Sequence, residues 1–125
     1  MKLTTITAIL ASVLLASTAQ ILLKSGMSQW KLIKFIAERD YVSLAFSMLT
    51  SFSIIGGLLV FALSIALWLL VLASVPLSTA YPFVALGICV TTFAGHILFG
   101  DSITLMRLAG VALIVGGISL IAANG

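Results

Sequence analysis

The side chains able to do chemistry are few in this sequence, and none forms a catalytic motif. Charged residues make up 7% of the 125 residues, and the three carboxylates, Glu38, Asp40 and Asp101, fall in segments that we predict to be loops. The sequence contains no Walker A loop, no zinc-ligand spacing and no nucleophile elbow. We therefore predict a protein that is not an enzyme, with no catalytic residues, no metal site and no cofactor.

The basic residues outnumber the acidic ones, and the chemistry open to them is the binding of anionic groups. Six Lys and Arg residues against three Asp and Glu give a net charge of +3 and a pI near 9.4. They are scattered over predicted loops without the interleaved aromatic residues of a nucleic-acid surface, so anionic lipid is the expected counter-charge. The six are Lys2, Lys24, Lys31, Lys34, Arg39 and Arg107.

Two further reactive side chains lie within apolar sequence. His96 precedes Asp101 by about one helical turn, which favours a hydrogen bond at the membrane edge, with proton handling as the alternative. Cys89 is the single cysteine and lies in the middle of a predicted span, so we expect a small packing residue and no intrachain disulfide.

The composition predicts an integral membrane protein. Hydrophobic residues make up 62% of the chain, the mean hydropathy is +1.36, and no charged residue occurs between Asp40 and Asp101. Apolar windows predict four spans at about 3–23, 54–73, 79–99 and 103–122. The expected fold is an all-α four-helix membrane bundle, with residues 1–125 as a single transmembrane domain.

The N-terminal run has one alternative interpretation. Lys2, the apolar residues after it and Ser17-Thr18-Ala19 have the pattern of a signal peptide with a small-residue cleavage site. The run continues past Ala19 to Leu23, which is full membrane length, so we expect a retained span.

Small and polar residues recur every four positions in the first predicted span. Ala8, Ser12, Ala16, Gln20 and Lys24 therefore lie along one helix face, which we expect to face protein and not lipid. Close helix packing with Lys24 as an interface anchor is one interpretation, and a binding face is the other.

The first loop is predicted to contain an amphipathic segment on the cytoplasmic surface, at about 26–43. Trp30, Ile33, Ile36 and Ala37 share one helical face, and a second face carries Lys31, Lys34 and Glu38. A solvated connecting segment is the simpler alternative.

The connection between the second and third spans contains Val75-Pro76. Proline biases the residue before it away from helical geometry, so the second span should end near Ser74. We expect Ser78 and Thr79 to cap the next helix, with Pro82 near its start.

Small residues at four-residue spacing predict close helix packing or dimerisation in the last three spans. Ser53 and Gly57 form one such pair in the second span. The third span has Gly87, Thr91 and Gly95 at this spacing, the fourth has Ala112 and Gly116, and Gly110 and Gly117 lie one heptad apart. Because four spans enclose little volume, a dimer is the expected way to build a central cavity.

The distribution of basic residues predicts the orientation. The first and third loops carry five of the six, Lys2 being the exception. The positive-inside rule therefore places these loops in the cytoplasm and both termini outside.

Several short elements in this order resemble the drug/metabolite transporter superfamily, in particular its four-helix members of the small multidrug resistance and EamA-like type. The resemblance rests on Ala19-Gln20 with Lys24, Leu67-Trp68-Leu69-Leu70-Val71-Leu72, Val75-Pro76, Ala80-Tyr81-Pro82, and Gly110-Val111-Ala112-Leu113-Ile114-Val115-Gly116-Gly117. It covers nearly the whole chain apart from residues 26–52. Within this group the combination is most similar to the flippase subunits for 4-amino-4-deoxy-L-arabinose linked to undecaprenyl phosphate.

This resemblance implies an inner-membrane transporter of a polyprenyl-phosphate-linked sugar, working as a homodimer or with a related four-helix chain. Small multidrug resistance proteins rely on an embedded glutamate eight residues before the lysine, where this sequence has Ala16. A proton-coupled exporter of lipophilic cations needs such a carboxylate. Export of a small cation or metabolite, and a non-transporting subunit of a glycosyltransferase complex, remain the alternatives.

A lipid-linked sugar phosphate requires cations for its phosphate and polar or aromatic groups for its sugar. We expect substrate contacts from Gln20, Lys24, Trp68, Ser78, Tyr81 and Pro82. Phosphate or lipid headgroups are expected to contact Lys31, Lys34, Arg39 and Arg107. Trp68 also has the position of an ordinary interface anchor.

Overall fold

Long apolar runs become long helices in this chain. The computed structural model describes residues 3–124, which are helical with short connections and contain no strand. The elements are α1 (Leu3–Met27), α2 (Trp30–Ala37), α3 (Tyr41–Thr50), α4 (Phe52–Ser74), α5 (Leu77–Ala80), a 3₁₀ turn (Tyr81–Ala85), α6 (Leu86–Phe99) and α7 (Leu105–Asn124). The all-α prediction is confirmed.

Four helical segments within residues 3–124 are long and apolar enough to cross a membrane. They are α1, α4, the continuous stretch Leu77–Phe99 and α7, with 25, 23, 23 and 20 residues. At about 1.5 Å per residue each spans about 30 Å or more, the thickness of a hydrocarbon core. Large apolar side chains are exposed along these segments, as expected where lipid surrounds them. The chain is a multi-pass membrane protein with the predicted four-helix architecture.

The closest helix packing in the fold is between α1 and α4. Ser12 Oγ donates to the Ser64 carbonyl oxygen at 3.0 Å, and Ser64 Oγ donates to the Ser12 carbonyl oxygen at 2.9 Å. Ser53 Oγ donates to the carbonyl oxygen of Leu22 at 2.9 Å, further along the same contact. These bonds join side chains of one helix to the backbone of the other, so the two helices lie against each other through small residues.

Gly57 permits this approach on α4. A Cβ atom there would lie 3.2 Å from the carbonyl oxygen of Ala19 and 3.0 Å from Cγ of Leu23. Gly57 and Ser53 thus form the predicted small-residue surface, and its partner is α1.

An apolar cluster fastens α5 and the 3₁₀ turn to the long helices. Phe83 of the turn is buried with Ala80 and with residues of α1, α4 and α7. The other buried members are Ile9, Val13, Val71, Val75 and Ile118.

The connection after α4 lies where the sequence predicted it, but the predicted side-chain caps of the next helix do not form. α4 ends at Ser74, and Val75 is extended with φ −130° and ψ 137°. The expected caps are wrong: α5 begins at Leu77, so Ser78 and Thr79 lie inside its first turn, and no side chain caps it. The carbonyl oxygen of Pro76 instead accepts from the N–H groups of Thr79 and Ala80 at 3.0 Å.

The loop between α1 and α4 folds into two short helices. Leu32 of α2 is fully buried, whereas Trp30, Ile33 and Ile36 are exposed. Arg39, with φ 56°, ends α2, and the Asp40 carboxylate caps α3 by accepting from Ser43 N–H at 3.2 Å.

One predicted face of α2 needs correction. Lys34 Nζ lies 5.8 Å from the centre of the Trp30 ring and 4.0 Å from Glu38 Oε1. Lys34 therefore lies beside Trp30 and not on the face opposite it, because residues four apart on a helix lie above one another.

The last helix has the least protein contact. Ile118 is the buried residue of α7, which packs against the 3₁₀ turn and α6. No atom of residues 3–124 lies within 4 Å of a Cβ built on Gly110, Gly116 or Gly117, outside their own helix and chain neighbours. These three glycines of α7 are thus uncovered in the single chain.

Replacing Gly57 with valine should destabilise the fold by about 1–3 kcal/mol, the usual cost of forcing extra atoms into a packed contact. The added side chain would meet the α1 backbone, which cannot move aside as a side chain can. Thermal unfolding of the purified protein in detergent measures the effect. Gly56→Val is the matched control, because no atom lies within 4 Å of a Cβ at Gly56. Equal unfolding temperatures for the two variants would contradict the packing described here.

Candidate functional site

A cavity of about 370 Å³, which we call the interior cavity, lies between α1, α4 and α6 and is open at the side where Ile65, Val84 and Ile88 are exposed. Phe61, Ile65, Val84 and Ile88 form part of an apolar wall. The polar and indole groups that line it come from all three helices, and no charged residue is among its lining residues. These groups belong to Ser12, Ser17, Gln20, Ser64, Trp68 and Thr91.

The hydroxyl groups of this interior cavity are already bonded to backbone. Besides the Ser12 and Ser64 pair, Ser17 Oγ donates to the Val13 carbonyl oxygen and Thr91 Oγ1 to that of Gly87, both at 2.9 Å. Within residues 3–124, the Gln20 amide and the Trp68 indole N–H make no such bond. These two groups are the polar contacts that remain for a ligand.

A second cavity of about 470 Å³ adjoins the first and is charged. Lys24, Asp101 and Arg107 line it, together with Thr92. Gln20 and Thr91 line both cavities, so the two lie on either side of these residues. The charged cavity lies at the end of the bundle where α1 and α6 end and α7 begins.

Helix ends bring the three charged residues to this cavity. Lys24 is in the last turn of α1, where a cation also complements the helix dipole. Arg107 is in the first turn of α7, and its N–H donates to Thr104 Oγ1 at 3.1 Å. Asp101 follows Gly100, which ends α6 in the left-handed conformation with φ 71°.

The turn around Asp101 is fixed by its backbone. Asp101 N–H donates to the carbonyl oxygen of Gly95 at 3.1 Å, and His96 Nδ1 donates to the carbonyl oxygen of Asp101 at 2.7 Å. The prediction of a hydrogen bond for His96 is confirmed. A Cβ at Gly95 would lie 2.5 Å from Asp101 Oδ2, so the carboxylate occupies the space that glycine leaves.

The charged groups of the cavity do not pair with one another. Among residues 3–124, the ion pair with N···O within 4.0 Å is Lys34 with Glu38, outside the cavity. Lys24, Arg107 and Asp101, which are all exposed, thus leave their charges free at this open cavity. Such an arrangement can bind a ligand that itself carries charge.

The structure brings together some of the predicted site residues. Gln20, Lys24 and Arg107 line the charged cavity, and Trp68 lines the interior cavity with Gln20. Gly87 and Thr91, predicted for helix packing, also line the interior cavity, and a Cβ at Gly87 would lie 3.1 Å from Ser17 Oγ.

Other predicted residues lie elsewhere. Ser78, Tyr81 and Pro82 line neither cavity, and Tyr81 is 61% exposed because Phe83 is the residue that the 3₁₀ turn buries. Lys31 and Lys34 on α2, and Arg39 just after it, also lie outside both linings. Lys2 is outside the described residues.

Asp101 is the functional candidate that sequence reasoning missed. It was grouped with the loop carboxylates, although Gly100 before it and His96 one turn earlier indicate an ordered helix end. That signal predicts a fixed turn, but it does not reveal which cavity the side chain lines.

Comparison with known proteins identifies the family to which this membrane protein belongs. Residues 41–114 match the family model of the Small Multidrug Resistance protein. The chain belongs to this family of small multi-pass membrane proteins, as the sequence predicted.

Similar curated proteins share a narrower description. One from Serratia proteamaculans, named "Probable 4-amino-4-deoxy-L-arabinose-phosphoundecaprenol flippase subunit ArnF", is 36% identical over 113 residues, covering 89% of this chain and 86% of that protein. The ArnF subunit of Erwinia tasmaniensis is 40% identical over 114 residues, 90% of this chain and 89% of its own. The ArnE subunit of Pectobacterium atrosepticum is 35% identical over 107 residues, 86% and 88% of the two chains. No solved structure gives a significant match.

A cysteine at Gln20 should react with a membrane-impermeant thiol reagent in a Cys89→Ala background. The expected reason is that the charged cavity admits water as far as Gln20, and thiols react through their thiolate form in water. Mass spectrometry of protein in liposomes measures the modification. Leu113→Cys is the control: its side chain is 78% exposed in the single chain but lies in the middle of an apolar span, away from both cavities. Modification at Leu113 but not at Gln20 would contradict a water-filled cavity.

Proposed function

We propose that this chain is a subunit of a flippase that moves an undecaprenyl-phosphate-linked sugar between the leaflets of a bacterial inner membrane. The observation that carries the proposal is that Lys24 and Arg107 line one cavity, which adjoins the uncharged interior cavity at Gln20. The similarity to proteins named as subunits of a 4-amino-4-deoxy-L-arabinose-phosphoundecaprenol flippase supports the same substrate class.

The parts of such a lipid match different parts of the cavity. Its phosphate binds Lys24 and Arg107 by charge-assisted hydrogen bonds. Its sugar contacts the Gln20 amide and the Trp68 ring, which have polar and aromatic groups without protein partners. Both cavity volumes are within the range of about 300–1,000 Å³ typical of sites for small ligands. The polyprenyl tail is far larger and stays among lipid chains outside the bundle.

The other predicted contacts serve the ends of the path. Lys31, Lys34 and Arg39 attract anionic headgroups at the cytoplasmic surface, while the exposed Trp30 and Ile33 lie in the lipid interface. At the opposite end Ser78, Tyr81 and Pro82 form the rim over which the headgroup leaves.

The orientation that we propose puts the charged cavity on the cytoplasmic side and both termini in the periplasm. Its support is the positive-inside rule, because Lys24, Arg107 and the basic residues of the α1–α4 connection belong to the first and third loops. The substrate is then captured from the cytoplasmic leaflet.

We further propose that the working unit is a dimer, formed with a second copy or with a related four-helix chain. Its support is α7, where Gly110, Gly116 and Gly117 meet no neighbouring atom and, with the exposed Ala112, allow another helix to approach. Curated relatives named as ArnE and as ArnF subunits both match this chain, in keeping with an assembly of two kinds of subunit.

Transport in this proposal involves no bond making or breaking by the protein. Export of a lipophilic cation is disfavoured because Ala16 stands where a membrane-embedded carboxylate would exchange a proton for the cation, and the carboxylate that lines the charged cavity, Asp101, lies beyond the end of α6. No observation favours a non-transporting subunit of a glycosyltransferase complex.

Replacing Lys24 or Arg107 with glutamine should weaken binding of the lipid-linked sugar phosphate about 10- to 100-fold, because a hydrogen bond to a charged group contributes about 1.5–3 kcal/mol. Binding in nanodiscs and translocation in liposomes, with any partner subunit present, measure this loss. Lys31→Gln, outside the cavity, should have a much smaller effect. Translocation of a lipophilic cation, with no transport of the lipid-linked sugar, would contradict the proposed function.

Labelling in intact cells should reveal the orientation. In the Cys89→Ala background, Asn124→Cys should react with an impermeant reagent added outside the inner membrane. Ser28→Cys should react only after the membrane is permeabilised, because the first loop is then cytoplasmic. The reverse pattern would refute the proposed orientation.

A further inference from the structure

Asp101 is an unexpected residue in a cavity that binds phosphate. Its carboxylate lines the same space as Lys24 and Arg107, yet within residues 3–124 it has no ion-pair partner within 4.0 Å and accepts no hydrogen bond. A phosphate held by the two cations would be repelled by this carboxylate. A ligand carrying only negative charge therefore leaves Asp101 without a favourable role.

We propose that Asp101 binds the ammonium group of an amino sugar, so that the charged cavity recognises a headgroup with both charges. Lys24 and Arg107 bind the phosphate, and Asp101 reads the amine at the other end of the sugar. This inference rests on the proposed function and adds to it a residue that sets substrate specificity. The name of the relatives' substrate, which contains a 4-amino sugar, agrees with this chemistry.

The surroundings of Asp101 fix its backbone and leave space for its carboxylate. The left-handed Gly100, the N–H bond to Gly95 and the His96 bond to the Asp101 carbonyl oxygen fix the backbone of the turn. The missing side chain at Gly95 leaves the space that Oδ2 occupies. An ion-pair partner held in advance loses less conformational freedom when the ligand binds, which increases affinity.

Separation of the charges also favours a ligand with both signs. If Asp101 neutralised Lys24 or Arg107 directly, the cavity would gain little from binding a phosphate. Because the groups remain unpaired, a ligand with an anionic and a cationic group satisfies all three in one bound state. Neutralising the amine removes one of these contacts and leaves the repulsion between carboxylate and phosphate.

The test compares three lipids in nanodiscs containing the full chain and any partner subunit. They are the undecaprenyl-phosphate-linked 4-amino sugar, its N-acetyl derivative, which lacks the positive charge, and undecaprenyl phosphate. The wild-type protein should bind the amino form about tenfold more tightly than the N-acetyl form, within the range for a charged hydrogen bond. Asp101→Asn should abolish this preference and tighten binding of undecaprenyl phosphate, because it removes the repulsion between carboxylate and phosphate.

Two further variants separate specificity from folding. Gly95→Ala keeps the charge of Asp101 but displaces its carboxylate, so it should also reduce the preference for the amino form. Glu38→Gln removes a carboxylate outside the cavity and should retain the full preference. Thermal unfolding checks that each variant is folded, and Gly95→Ala keeps the test decisive if Asp101→Asn does not fold.

The possible results distinguish the role of Asp101 in specificity from the proposed flippase function. If Asp101→Asn keeps the tenfold preference, or weakens binding of all three lipids equally, the role of Asp101 in specificity is overturned while the proposed function stands. If the wild-type protein binds none of the three lipids, both proposals are overturned. Loss of the preference in Asp101→Asn and in Gly95→Ala, with phosphate binding retained, supports the assignment.

Discussion

The close contact between α1 and α4 is the constraint on which the rest of the structure depends. Lipid is as apolar as leucine, so burial of apolar surface does not drive these helices together as it does in water. Small residues and side-chain bonds to the neighbouring backbone, such as the two between Ser12 and Ser64, provide the contact instead. α4 is fixed against one side of α1, and α6 packs against α1 at Gly87. The interior cavity is the space that remains between the three helices.

Position along the chain then determines the chemistry of the space. Mid-helix residues of the interior cavity supply hydroxyl groups that donate hydrogen bonds to backbone carbonyl groups, so these hydroxyl groups need no water. The ionisable residues of the charged cavity lie at helix ends instead. The charged cavity lies where three helix ends meet, and a turn of defined geometry holds Asp101 there. The same division appears in the ligand class we propose, with a charged headgroup, a polar sugar and an apolar tail.

The sequence predicted features that depend on local chemistry. The spans follow from apolar length, the end of α4 from the restriction that Pro76 imposes, and the His96 bond from its distance to Asp101. It predicted the small-residue surface of Ser53 and Gly57, but not most of the side chains that meet, because long stretches of these helices are apolar on every face and carry little signal of rotation. Tyr81 was therefore assigned to a site that it does not line, and Asp101 was omitted from the one that it does. Ser78 and Thr79 do not cap a helix because α5 begins at Leu77, two residues before the predicted start of the third span.

Passage through the interior cavity makes a further demand on the assembly. A phosphate that leaves Lys24 and Arg107 enters a space without lining cations, and a charged group near the bilayer centre costs at least about 2.5–3.5 kcal/mol unless protein or water compensates it. The hydroxyl groups there are engaged with backbone, so Gln20 and the Trp68 N–H are the donors left to replace water. One chain alone provides little compensation on this path. A second four-helix chain, or water admitted through the charged cavity, has to supply the rest, which is a physical reason for a transporter of this size to work as a dimer.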